Sequence, residues 1–207
     1  MKPVRFYFSF RSPYSWLAER LIAERHADLR DLCEFIPYWE PDEETARRLA
    51  EKNAKFLYRA MTREKHLYIL KDIKRQVAKH GYRIAWPIDR QPWWERPHLA
   101  YLAAERQGRG PAFSSLVYRA RFEQGRDICD ETVIGDIADE AGLDPAELLA
   151  APDDAQLREQ GAEGLRRADR DGIFGVPFMA VGHERFWGVE RLPDFVEALR
   201  AQPVLAR

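Results

Sequence analysis

Cysteine is nearly missing from this chain of 207 residues: Cys33 and Cys129 are the two it has, far apart, with no His or second Cys beside either at metal-binding spacing. No Cys-x-x-Cys pair exists, so the chain carries no dithiol of its own. A disulfide between the two would need an oxidising compartment, and nothing addresses the chain to one. Two buried free thiols, acting as small hydrophobes, are the simpler reading, and neither is expected to be catalytic. An excess of charge is lacking too. Lys+Arg 33 against Asp+Glu 34 gives a net charge of -1, which leaves no basic stripe for nucleic acid and no acidic tail. There is no run of about 18 apolar residues, so no membrane span is expected. The N-terminal MKPVRFYFSFRSPYSW is too broken by arginines and aromatics to be a signal peptide. A cytoplasmic protein is the expectation.

The apolar pattern that is present changes period along the chain. VRFYFSF at 4–10 reads as a strand, and Ser12–Pro13 then suits an N-cap and first helical residue, opening a helix through WLAERLIAERHADL. A short strand is expected at 32–38. From residue 42 to 170 the pattern turns helical, with expected helices at 45–56, 63–80, 96–107, 110–124, 132–141, after Asp144–Pro145, and 153–171. Strands return at 176–182 and 184–187 around a Gly182–His183 turn, and a helix closes at 191–201. The order β-α-β, helical block, β-β-α predicts an α/β thioredoxin fold. Residues 1–41 and 171–207 would form that domain, and 42–170 a helical insertion.

Two segments can carry chemistry. FSFRSPYSW places Ser12 at a helix N-terminus, where free amides and a partial positive charge stabilise a thiolate, phosphate or carboxylate. Ser-Pro is also an ordinary helix start. GIFGVPF at 172–178 starts a strand with proline. A cis Val176–Pro177 bond there would leave the Val176 backbone free to pair with an extended peptide ligand, whereas a trans proline would merely begin the strand. With the serine motif at the other end of the chain, we expect the cis form, with Val176 facing the start of the first helix. Trp86, Trp93 and Trp94, in WPIDRQPWWERP, either line a pocket for a flat substrate or serve as core or dimer contacts, and Trp39 faces the same choice. His66, His80, His98 and His183 have no metal spacing and receive no role.

FYFSFRSPYSWLA, KHLYILKDIKR at 65–75 and GIFGVPFMAVGHERFWGVERL at 172–192, in this order, make the chain similar to the DsbA-like branch of the thioredoxin superfamily. Within it, the chain resembles the 2-hydroxychromene-2-carboxylate isomerases and kappa-class glutathione transferases. Ser12 and Ser15 stand where disulfide oxidoreductases of that superfamily have their two cysteines. The resemblance implies that Ser12 hydrogen-bonds the sulfur of a glutathione cofactor, with Pro13, Tyr14 and Pro177 beside it. It implies that Val176 holds the tripeptide backbone and that the turn with Val189 and Glu190 holds the γ-glutamyl end. Asn53 and Lys65 correspond to further ligand positions, Lys65 through the KxxYxxxD register; a solvated helix lysine is its other reading. Ser9 and Glu190 stand where the family often has Asp, and Val189 offers only its backbone. The function so implied is a glutathione-dependent isomerase or transferase acting on a small unsaturated or aromatic carbonyl compound, working as a homodimer. Thiol–disulfide exchange and a non-catalytic thioredoxin-fold binding protein are the alternatives.

Overall fold

The computed structural model describes residues 4–57 and 61–202. Strand β1 (Val4–Phe8) is apolar at almost every position, as a strand covered on both faces must be. It pairs in parallel with β2 (Glu34–Pro37) and antiparallel with β3 (Phe178–Val181), which pairs with β4 (Glu184–Trp187), giving the order β2-β1-β3-β4. The register aligns Phe35, Phe6, Met179 and Phe186 across the sheet. Phe186 meets Phe195 of the last helix, α10 (Leu192–Arg200), at 6.0 Å. Helix α1 (Pro13–Arg25) and the short α2 (Leu29–Leu32) connect β1 to β2. Between β2 and β3 come α3 (Glu43–Glu51), α4 (Arg63–Lys79), α5 (Glu95–Arg106), α6 (Gly110–Phe122), α7 (Glu131–Ala141), α8 (Pro145–Ala150) and α9 (Ala155–Arg170). This is the expected thioredoxin-type order. The ends of the expected domain, 1–3 and 203–207, lie outside the described residues.

Several boundaries differ from expectation, for local reasons. β1 stops at Phe8 because the Ser9 carbonyl turns to accept the Ser12 N–H at 3.0 Å. α1 stops at Arg25, and the tail expected to prolong it turns at His26–Asp28 and enters α2. α3 ends at Glu51 rather than residue 56, where Lys52 caps it and Asn53 takes a left-handed φ of 54°. β3 begins two residues late, at Phe178, since Pro177 has no N–H to give the ladder; the Val176–Pro177 bond is cis, as expected.

The core is continuous from sheet to helices. Tyr101 of α5 meets Phe8 and Phe10 edge-on at 5.1 and 5.9 Å. Gly161 of α9 lets Trp39 approach so closely that a β-carbon there would lie 2.8 Å from the indole. Asp42 caps α3, and Arg158 of α9 donates to its carboxylate at 3.0 Å. Glu95 of α5 accepts the Asp42 N–H at 2.9 Å. No helix among the described residues is long and apolar enough to cross a membrane.

Candidate active site at the start of helix α1

Ser12 has extended backbone angles, and its hydroxyl accepts the Ser15 N–H at 3.2 Å, so it is the N-cap of α1. The same hydroxyl donates to the Val176 carbonyl at 3.3 Å, joining the two motifs across the chain. Pro13 has no N–H, the Ser15 amide goes to Ser12 Oγ, and the Trp16 amide goes to the Ser12 carbonyl at 3.1 Å. The Tyr14 amide is therefore left, in the first turn, without a partner among the described residues, at the positive end of the helix. The Val176 N–H likewise has no acceptor among the described residues. One helix terminus, one hydroxyl and one strand-entry backbone thus face each other. Pro177 is buried behind Val176.

A buried frame fixes the loop ahead of Ser12. His98 of α5 is fully buried, stacked on Trp39 at 5.1 Å, with Nδ1 2.7 Å from the Trp94 carbonyl. A carbonyl accepts only, so Nδ1 carries the proton and Nε2 accepts the Phe10 N–H at 3.1 Å. Burial pushes the imidazole down to about 3, and it stays neutral. Tyr118 donates to the Ser9 carbonyl at 3.1 Å, and the buried Ser15 hydroxyl accepts the Ser9 N–H at 3.3 Å. The serine in the second cysteine position is thus a fastening of the backbone.

On the far side, Tyr14 donates to Asp72 of α4 at 2.8 Å. Burial, the bond to Asp72 and the charges of Asp72 and Glu190 all raise its phenol. Glu190 lies in the helical turn 189–191, where it accepts from Gln76 of α4 at 2.5 Å. That turn follows Gly188, whose φ of 95° suits glycine and whose amide donates to the Pro177 carbonyl at 3.0 Å. Val189 has its side chain buried in the core. α4 is fastened by its second half, where Ile73, Gln76 and Val77 are buried, while along its first half Leu67 and Tyr68 stay 46% and 59% exposed.

Of the residues singled out from the sequence, Ser12, Pro13, Tyr14, Val176 and Pro177 come together directly. Glu190 and Val189 join them through α4 and the Gly188 turn. Lys65 is exposed in the first turn of α4, seven residues or about 10 Å along the helix from Asp72. Asn53 is exposed beyond α3, and no hydrogen bond among the described residues ties it to Ser12 or Val176. The neighbouring Lys52 instead pairs with Glu159 of α9. The tryptophans share no single pocket: Trp39 and Trp94 are core residues, Trp93 donates to Asp42 at 3.2 Å, and Trp86 is exposed, edge-on to Phe122. Cys33 and Cys129 are buried and free, and burial pushes both thiols up to about 12. No group of His, Cys, Asp and Glu suited to a metal ion occurs among the described residues. His98 and Asp72 were not singled out as site residues. Asp72 had a signal in its KxxYxxxD register; His98 had none, because its partners lie far away in sequence.

The 2-hydroxychromene-2-carboxylate isomerase of Sphingobium xenophagum is 27% identical over 202 residues, covering 95% of this chain and 97% of that protein. The enzyme of the same name from Pseudomonas putida is 25% identical over 190 residues, covering 91% and 90%. A solved 2-hydroxychromene-2-carboxylate isomerase structure superposes with a TM-score of 0.72 at 20% identity, covering 99% of each chain. The DSBA-like thioredoxin domain matches residues 3–200, almost the whole length, and the chain belongs to that family.

Proposed function

We propose that this chain is a glutathione-dependent isomerase of the 2-hydroxychromene-2-carboxylate isomerase type, or a transferase of the same chemistry, acting on a small unsaturated or aromatic carbonyl compound. One observation carries the reading: the hydroxyl that caps α1 stands where a redox cysteine would be and reaches the Val176 backbone across the cis proline. The name shared by the relatives supports the isomerase part.

The donors present fit a peptide thiol. Ser12 and the Tyr14 amide offer two N–H or O–H groups at a positive helix end, and the Val176 N–H is free to pair with an extended backbone. Glu190, which the resemblance assigns to the γ-glutamyl end, and Asp72 add carboxylates on the α4 side that would attract its ammonium group. Ser12, the Tyr14 amide and the Val176 backbone would hold glutathione, whose sulfur would supply a nucleophile for reversible addition to a conjugated carbon, with elimination after rotation returning both the thiolate and the double bond. The Ser12 hydroxyl, which here donates to the Val176 carbonyl, would turn its proton toward that sulfur and favour its anion. The helix terminus adds fixed positive potential that needs no rearrangement during the reaction. Calorimetric titration with glutathione tests this. Saturable one-site binding that weakens in Glu190→Ala is expected, and no binding heat at millimolar glutathione would overturn the reading. Dithiol exchange has no support, because both thiols are buried and neither stands at Ser12.

A further inference from the structure

Two large aromatic side chains stand open beside this site, and the chemistry above makes no use of them. Phe174 is 57% exposed and Trp187 52%. Their rings meet at 4.9 Å and 66°, and Phe174 also edges Phe178 at 5.5 Å. Trp187 ends β4 opposite Phe178, and its indole rests on Gly175: a β-carbon at 175 would lie 2.9 Å from Nε1. Gly175 precedes Val176, so the aromatic surface begins one residue from the carbonyl that meets Ser12. Isolated surface aromatics need no explanation, but a paired and seated set adjoining a site does.

We propose that Phe174 and Trp187 form a ledge that receives the planar aryl group of the substrate, and so set the preference of the site for aromatic over aliphatic compounds. The proposal rests on the glutathione reading above and names the substrate class for it. Two rings at this angle offer one face and one edge, the arrangement in which a third ring packs favourably. Trp187 is already seated on Gly175, so little freedom is lost when a ring arrives. Gly175, on which Trp187 rests, is joined directly to Val176, whose carbonyl meets Ser12, so a ring linked to a sulfur held at Ser12 would have the ledge within its reach.

The test is calorimetry with glutathione, S-methylglutathione and S-benzylglutathione. The unaltered protein should bind the benzyl compound at least tenfold more tightly than the methyl one. Phe174→Ala and Trp187→Ala should lose most of that ratio and keep their affinity for plain glutathione within about twofold. Trp187→Phe, which keeps a ring on Gly175, should retain it. A ratio near one in the unaltered protein, or an undiminished ratio in both alanine variants, would overturn the ledge. So would an equal loss for all three ligands, which would make the rings supports of the tripeptide. Sedimentation supplies another arm: a dimer that Phe174→Ala converts to monomers makes the ledge a subunit contact instead. If plain glutathione itself does not bind, the cofactor reading falls and the ledge falls with it, an outcome seen in a separate titration.

Discussion

Ser12 has two hydrogen-bonding tasks, and they can be measured apart. As a cap it accepts the Ser15 amide, and its loss should cost about 1 kcal/mol of stability. As a donor to a thiolate it supplies a charge-assisted bond of about 1.5–3 kcal/mol. Ser12→Ala should therefore lower turnover at neutral pH by about one to two orders of magnitude, with glutathione affinity little changed. Raising the pH should restore part of the rate, because the thiol of the variant ionises later. A variant that keeps full turnover and loses only thermal stability would reduce Ser12 to its cap. Glu95 gives a second residue-scale expectation. Burial raises its carboxyl to about 7, with the Asp42 charge adding and the Asp42 amide, Thr45 and Arg158 opposing. A carboxyl raised on folding stabilises below its ordinary pKa of 4.5 and loses that contribution as pH climbs through about 7. Glu95→Gln should abolish this slope. Urea unfolding should show the variant gaining on the parent by on the order of 3 kcal/mol between pH 4.5 and 8.

The elements divide into those legible one at a time and those that only pairing defines. Asp42, Thr62, Asp130, Asp144 and Asp154 each cap a helix through a side-chain bond, and the helices that follow start within two residues of expectation. Strands are set by partners, so β2 and β3 came out shorter than their apolar runs. The four residues of α2 have no period to read. The same division runs through the candidate site. Ser12 and Val176 sit at a cap and a strand entry, which local sequence marks. His98 reaches Phe10 across 88 positions with no local pattern to mark it, and Asp72 reaches Tyr14 across 58, marked only by the KxxYxxxD register. Packing between elements gives its own expectation. Gly161→Ala on α9 would push into Trp39 and Leu99, the nearer at 2.8 Å, inside a core with no room to yield. It should cost about 1–3 kcal/mol in chemical unfolding despite the better helix propensity of alanine.

At the scale of the whole molecule, the chain presents no exposed thiol. Both thiols are buried, neither stands at the start of α1, and burial holds both in their neutral form. Replacing Cys33 and Cys129 together by alanine should leave turnover intact while costing about 1–2 kcal/mol per site. Loss of activity in a folded double variant would contradict the role given to Ser12. The one-sided fastening of α4 has a further consequence, for how the native chain comes apart. With Leu67 and Tyr68 open and the buried side chains confined to its second half, the first two turns can unwind without disturbing the core. Native-state trypsin digestion should therefore cut first at Arg63, Lys65 or Lys71. Amide exchange should be fastest there among the long helices, and a ligand that engages Tyr14 and Glu190 should slow both by holding Asp72 and Gln76 in place.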